Sequence, residues 1–497
     1  MPESAQIDRP RSTQLDRSDL FIGGEFVPAD STARVLAVNP ATEQVVGSVP
    51  DGNERDVDRA VTAARDALRT WRQTSGAERS EILLRVADGI TARAEELKDL
   101  LLAQNGSPRW WRDQDVTIAS MLYRQAATAA AQLQQETIVE GPGGSNTLLQ
   151  REPIGVVAAI APWNAPQALQ SIKVANALAA GCTVVAKPSP ETSLDSYLLA
   201  EIMRDAGVPA GVYNIVTGGP ITGAALVAHP GIGKVSFTGS TASGKAVARE
   251  CANSLKPLIA ELGGKSAAVI LDDADLQLFF NSLQREGLPF SGQACFCNAR
   301  VIVPRKMQNE VVEGMVATLC SFRFGDPADE DTIMGPLVSA RQKERVDGYI
   351  QSGLSEGAIA ALGGGTKTGF DRGYYVAPTV FTEVSPDMRI FREEIFGPVL
   401  TVSAYDSEDE AVALHDATDF GLSGSVYSRD LARATDFSRK LTTGQLLING
   451  QRGAPSALRD MYKQSALGGG VDRIGGFLLT KGITQPSGDN KMKTIFG

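Results

Sequence analysis

At 497 residues the chain exceeds what one ordinary hydrophobic core organises, so two or three domains are expected. Its 43% hydrophobic and 21% charged residues suit a soluble globular protein, while a formal charge of -10 argues against general nucleic-acid binding. No apolar run approaches a membrane span, and Met1 to Leu20 lacks the apolar core of a signal peptide. The cysteines at 182, 251, 295, 297 and 320 form neither a disulfide framework nor a zinc spacing, and His229 and His415 stand alone. A cytoplasmic enzyme with no metal and no His-based triad is the expectation.

Residues 1–18 read as unstructured, with turn formers and scattered charges. Leu20 to Val27 reads as a short hairpin. Apolar residues recur at helical spacing over Asp56–Trp71 and Ala77–Asn105, and alanine-rich Met121–Gln135 continues the pattern. Trp110 and Trp111 between them read as packing. Alternating residues around Gly141-Pro142-Gly143-Gly144 predict a second hairpin over 137–152, one whose exposed edges a partner subunit would cover.

From Ile154, short β-rich runs (Val156–Ala161, Thr183–Lys187, Val212–Val216, Lys234–Thr238) alternate with helical patterns at Ala168–Ala180, Ser193–Ala206 and Thr222–Ala228. That alternation predicts a parallel sheet in an α/β domain. A second series predicts another α/β domain. It runs through Ala267–Leu271, a helix over Asp275–Leu283, Arg300–Val303, a helix over Lys306–Cys320, Val399–Ala404, Ser423–Tyr427 and Leu446–Asn449. A tail with Phe477-Leu478-Leu479 closes in the polar stretch Asp489–Lys493.

Chemistry concentrates at strand ends, where open α/β sheets bind ligands. In Ala161-Pro162-Trp163-Asn164-Ala165-Pro166, prolines fix a turn and Asn164 carries an amide suited to an oxyanion, or is an ordinary turn former. Lys187-Pro188-Ser189-Pro190-Glu191 offers a lysine and a hydroxyl to a ribose or phosphate, or is a solvated loop. Phe237 to Gly244 puts glycines and hydroxyls at a helix start, an anion site that is neither a Walker loop nor Gly-x-Gly-x-x-Gly. Further on, Gly292-Gln293-Ala294-Cys295 sets a thiol behind small residues, and Glu261-Leu262-Gly263-Gly264-Lys265 sets a carboxylate beside a glycine pair.

With Glu393-Glu394-Ile395-Phe396-Gly397-Pro398, these segments stand in one order, and the chain from about Leu20 to Asn449 resembles the aldehyde dehydrogenase superfamily. The resemblance implies two Rossmann-like parallel-sheet domains (α/β) plus a small β oligomerisation element. The division would be 1–136 with 153–261 for NAD(P), 262–470 for catalysis, and 137–152 with 471–497 as the bridge. It implies oxidation of a small-molecule aldehyde to a carboxylic acid through a Cys295 thiohemiacetal and thioester, with Glu261 as base for water and Asn164 at the oxyanion. Lys265 joins this catalytic set. The implied cofactor residues are Ile160, Trp163, Lys187, Ser189, Gly218, Gly239, Ser240, Gly244, Leu262, Glu394 and Phe396. NAD is the expected cofactor with NADP as the alternative, and a homodimer or homotetramer the expected assembly. Glu261 favours an acid product over transfer to coenzyme A.

Several positions depart from the family pattern. Pro190 stands where NAD-preferring members often carry Glu, with Glu191 one further on. Phe296 narrows the pocket, Cys297 is read as packing rather than as a redox partner, and Ala165 with Gln167 makes the entrance less apolar. Ala454-Pro455-Ser456-Ala457-Leu458 replaces the usual Pro-Phe-Gly-Gly ahead of Lys463-Gln464-Ser465-Ala466, and Arg452 is a surface arginine or a partner for a substrate carboxylate. Three alternatives stand beside the leading reading: a non-catalytic member of the fold, a succinic semialdehyde-like dehydrogenase, and a thiol hydrolase without nucleotide.

Overall fold

The computed structural model describes residues 15–141, 145–365, 368–453, 460–470 and 472–486. The Pro142-Gly143-Gly144 turn, the Ala454–Leu458 departure and the Asp489–Lys493 tail therefore lie outside the described residues. Two large sheets dominate. The first has eight strands in the order Ala466–Leu467, Leu258–Glu261, Lys234–Thr238, Val156–Ile160, Thr183–Lys187, Tyr213–Ile215, Asp19–Ile22 and Glu25–Pro28. Its five central strands are parallel, and antiparallel strands close both margins. The second has seven strands, Ile359–Leu362, Thr379–Thr382, Val399–Tyr405, Arg300–Pro304, Ala267–Ile270, Ser423–Tyr427 and Gln445–Ile448, of which Ile359–Leu362 alone runs antiparallel. The central strands are buried on both faces, which is why Val156–Ile160 and Thr183–Lys187 read as unbroken runs rather than alternations. The α/β class with parallel sheets stands.

One short connection fixes how the sheets face each other. The chain leaves the first sheet at Glu261, a carboxyl end, and enters the second at Ala267, an amino end, with 262–266 between them. A link of that length reaches at most roughly 20 Å. The carboxyl edge of the first sheet must therefore lie against the amino edge of the second, and a cleft forms between them.

Several elements differ from their sequence readings. Leu15–Asp16, inside the stretch read as unstructured, pairs in parallel with Val45–Pro50, which pairs in turn with Arg34–Val38. The helical run ending at Asn105 breaks at Arg93, whose φ of -106° and ψ of 24° leave the helical region, giving Gly76–Ala92 and Ala94–Asn105. The helix read from Met121 begins at Arg109 and runs to Ala131, so it carries Trp110 and Trp111. Helix Leu276–Ser282 continues as a wide π-turn over Leu283–Gly287. Strand Leu258–Glu261 and helix Ala340–Ser355 had no counterpart in the reading. The 137–152 hairpin is present as Glu136–Gly141 and Ser145–Pro153, and Leu478–Pro486 adds the third strand of its sheet. Among the described residues no helix is long and apolar enough to cross a membrane.

Candidate active site

Cys295 sits in the loop ahead of strand Arg300–Pro304, at the amino edge of the second sheet. The loop is built on an unusual turn. Phe290 (φ 47°) and Ser291 (φ 55°) both adopt the left-handed region, which costs L-residues roughly 1–2 kcal/mol each. Neighbours over-determine it: the Ser291 hydroxyl donates to the Gly335 carbonyl (2.8 Å), and the Gln293 side chain accepts from Val338 N (3.0 Å) and donates to Phe290 O (3.1 Å). A Cβ at Gly292 would meet the Gly397 carbonyl at 2.1 Å, so glycine is required where the loop crosses the Phe396-Gly397-Pro398 segment.

Glu261 ends a strand held between Lys234–Thr238 and Ala466–Leu467. Its Oε2 accepts from the Thr238 hydroxyl (3.3 Å), and the Cys295 thiol donates to its Oε1 at 3.8 Å. The glycine pair that follows permits two close approaches. A Cβ at Gly264 would meet the Cys295 carbonyl at 2.3 Å, and one at Gly263 would meet the Glu394 carboxylate at 2.5 Å. Glu394 in turn accepts from Gly264 N (2.9 Å). The described part of the atypical C-terminal segment supports this strand, because Leu262 N donates to Ser465 O (2.8 Å).

Burial sets the protonation states. Cys295 is partly exposed as a residue, yet desolvation of its thiol and then the nearby Glu261 and Glu394 carboxylates push its pKa well above the usual thiol value. Desolvation also raises Glu261, against a lowering by Lys173, which forms a buried ion pair (3.2 Å) with Asp472. The resting thiol is therefore protonated, and the Glu261 carboxylate at 3.8 Å is the group placed to accept its proton.

Asn164 follows the strand Val156–Ile160, and side chains from two helices pin its loop. The Trp111 indole donates to Asn164 O (2.8 Å), Asn105 donates to Trp163 O (3.1 Å), and Asp115 accepts from Gln167 N and Ala168 N at 3.2 and 2.8 Å. The Asn164 side-chain amide has no hydrogen-bond partner among the described residues. Trp111 also stacks on Phe290 (5.9 Å, 15°), so one side chain ties the Asn164 loop to the Cys295 loop. Trp110 and Trp111, whose sequence context predicts packing, do pack, as part of the site wall. Gln167 needs correction: it is buried and donates to Asp195, so it adds no polarity to the entrance.

The remaining predicted residues gather at the carboxyl edge of the first sheet. Ile160 and Lys187 end neighbouring strands, Lys187 donating to Pro188 O and to the O of Gly218 (2.9 and 2.7 Å), with its pKa lowered to about 8 by burial. Ser189 donates to Glu191 (2.5 Å), and the Glu191 charge acts on Lys187, so the displaced carboxylate still stands near the lysine. Gly239 leads into Ser240, whose hydroxyl caps helix Thr241–Asn253 by accepting from Ser243 N. A Cβ at Gly244 would meet Leu262 at 2.3 Å. Trp163 meets Phe396 edge-on at 5.3 Å. Four strand ends and a helix start converging in this way suit a dinucleotide. Lys265 lies apart: its amine has no hydrogen-bond partner among the described residues, and burial lowers its pKa to about 7 in a hollow shared with Arg300 and His415. Cys297 is buried among the aromatic residues with its thiol pushed up to about 12.

The aldehyde dehydrogenase family model matches residues 26–477. The chain is 42% identical over 474 residues to a geranial dehydrogenase of Castellaniella defragrans, covering 94% of this chain and 99% of that protein. It is 40% identical over 461 residues to a 3-succinoylsemialdehyde-pyridine dehydrogenase of a Pseudomonas species, covering 91% and 95%. Among solved structures it resembles a cysteine-to-alanine mutant of a Pseudomonas syringae aldehyde dehydrogenase bound to NAD+ and octanal (TM-score 0.90, 40% identity, 96% and 97% covered). A Mycobacterium tuberculosis aldehyde dehydrogenase complexed with NAD+ is likewise similar (TM-score 0.93, 36% identity, 96% and 100% covered).

Proposed function

This chain belongs to the aldehyde dehydrogenase family, and from that premise we propose that Cys295, Glu261 and Asn164 carry its chemistry. The protein is an oxidoreductase that acts on aldehydes, and its cofactor is NAD, which when bound supplies the hydride acceptor. The observation that carries the assignment of roles is the Cys295 Sγ to Glu261 Oε1 approach of 3.8 Å.

As Sγ bonds to the aldehyde carbon, the thiol proton passes to Glu261, and the carbonyl oxygen becomes an oxyanion facing the Asn164 amide and the Cys295 backbone N–H. Once hydride has left the carbon, a thioester remains on Cys295. Glu261, having released its proton, takes one from a water whose oxygen attacks the thioester carbon. The C–S bond breaks, a carboxylic acid departs, and Cys295 regains a proton. Ile160, Trp163, Lys187, Ser189, Gly218, Gly239, Ser240, Gly244, Leu262, Glu394 and Phe396 hold the dinucleotide, supported by their shared position along the cleft. Lys265 acts on the loop from behind, supported by its burial and by the Glu394 and Cys297 charges that fall on it.

The test is NADH formation followed by absorbance. Cys295→Ala should give none. Glu261→Gln should slow the first equivalent of NADH per site, because the thiol loses its base, and should stall release of the acyl group. Only the second defect should be relieved by hydroxylamine, a nucleophile that needs no general base. A Cys295→Ala variant that still turns over would refute the role of the thiol.

The domain division, with 1–136 and 153–261 holding NAD, 262–470 carrying the thiol, and 137–152 with 471–497 bridging subunits, is supported by sheet membership except at Ala466–Leu467, which joins the first sheet from within 262–470. Five cysteines with free thiols support a reducing compartment, the cytoplasm.

A further inference from the structure

Arg452 follows the last strand of the second sheet, beside the residue next to the nucleophile. Its guanidinium carbon lies 4.8 Å from the Phe296 ring centroid. Its Nε donates to Glu286 Oε1 at 2.7 Å, and one terminal nitrogen donates to Arg285 O at 3.1 Å. Glu286 sits on the π-turn Leu283–Gly287, and its side chain is only 5% exposed while that of Arg452 is 39% exposed. Its own backbone carbonyl accepts from Asn298 N (2.6 Å), which fixes the turn to the nucleophile loop. The charge of the exposed Arg285 also falls on Glu286. Taking a hydrogen-bonded cation from a nearly buried carboxylate is costly, so Glu286 holds Arg452 firmly.

Around Phe296 the wall is apolar. Phe296, Trp110, Trp163 and Ala165 pack, partly exposed, against a buried cluster of Trp111, Phe290, Ala294 and Cys297. Ala165 presents only a methyl group to this cluster, beside the tryptophans of helix Arg109–Ala131.

We propose that Glu286 and Arg452 are a specificity-determining pair: Glu286 withholds Arg452 from substrate carboxylates, and Arg452 holds Phe296 as an apolar wall, so the site selects uncharged aldehydes with an apolar body. The proposal rests on the aldehyde dehydrogenase reading and narrows it against semialdehydes that carry a carboxylate. A carboxylate entering this pocket loses its hydration and finds the arginine already paired.

Binding to the Cys295→Ala protein separates this proposal from the catalytic reading, because no turnover is needed. Calorimetry should give benzaldehyde a Kd about 100-fold below that of succinic semialdehyde, the size expected for an unpaired carboxylate in such a site. Adding Glu286→Gln should release Arg452 and tighten succinic semialdehyde about tenfold. Adding both Glu286→Gln and Arg452→Gln, which leaves no orphaned charge in the fold, should return it to the starting value. Tighter binding of succinic semialdehyde than of benzaldehyde before Glu286 is changed, or no gain in Glu286→Gln, would overturn the proposal.

Discussion

Cys295, Glu261 and Asn164 were legible as candidates because each sits in a short segment whose neighbours are chemically specific. What their segments did not carry was their state. Two carboxylates raise the thiol of Cys295 further above its already desolvated value, and burial raises Glu261 with it. A base must be ionised to accept a proton, so turnover should fall as pH drops through the raised Glu261 value. The acid limb of kcat should therefore lie above the ordinary glutamate value of 4.5, and the residual turnover of Glu261→Gln should show no limb at that position. Asn164→Ala should lower kcat by roughly 10²–10³ with little change in thermal unfolding, since the loop is pinned through its backbone rather than its side chain. Arg452 illustrates the opposite case: its sequence position allows a surface or a substrate role, and the contact that bears on the choice is with Glu286, far away in the chain.

Element boundaries moved where tertiary contacts outweighed local pattern. Helix Arg109–Ala131 starts twelve residues before its alanine-rich core because its first turns find partners: Trp110 Nε1 donates to Ile333 O, and Trp111 Nε1 to Asn164 O. The same helix carries Asp115, whose carboxylate caps helix Pro166–Ala179 by accepting from two of its first backbone N–H groups. Burial raises Asp115 from an ordinary 3.8 to about 7, with Asp195 raised to about 6 nearby. The sign follows from proton binding. Between these values the folded state holds more protons than the unfolded one, so the contribution is full below about pH 4 and is lost as pH rises to about 7. Each such group contributes a slope of at most about 1.4 kcal/mol per pH unit. Denaturant unfolding across pH 4 to 7 should thus show a shallower fall in Asp115→Asn than in wild type, and an identical slope would remove Asp115 as its source.

At the scale of the molecule, the three-stranded sheet of Glu136–Gly141, Ser145–Pro153 and Leu478–Pro486 has two edges that pair with no other strand among the described residues, and leaves Ile138 66% exposed, with Val139, Leu479 and Ile483 also exposed. Exposed edges with apolar side chains are what a second copy covers. Sedimentation should find a homodimer or homotetramer, and Ile138→Lys should shift it toward smaller species while leaving the far-ultraviolet circular dichroism unchanged. A monodisperse wild-type monomer would end this reading.

The sequence by itself determined the class of fold and the chemical groups. Strand and helix periods are local properties, and the thiol, carboxylate and amide each lie within a few residues of the glycines and prolines that shape their loops. Even the facing of the two sheets is implicit in the short link from Glu261 to Ala267. The tertiary structure decided everything that depends on residues far apart in the chain. It brought Cys295 to Glu261 across 34 positions, Trp111 to Asn164 across 53, and Arg452 to Glu286 across 166. Those contacts set protonation, loop geometry and pocket chemistry, because desolvation and hydrogen bonding act over a few ångströms of space and take no account of distance along the chain.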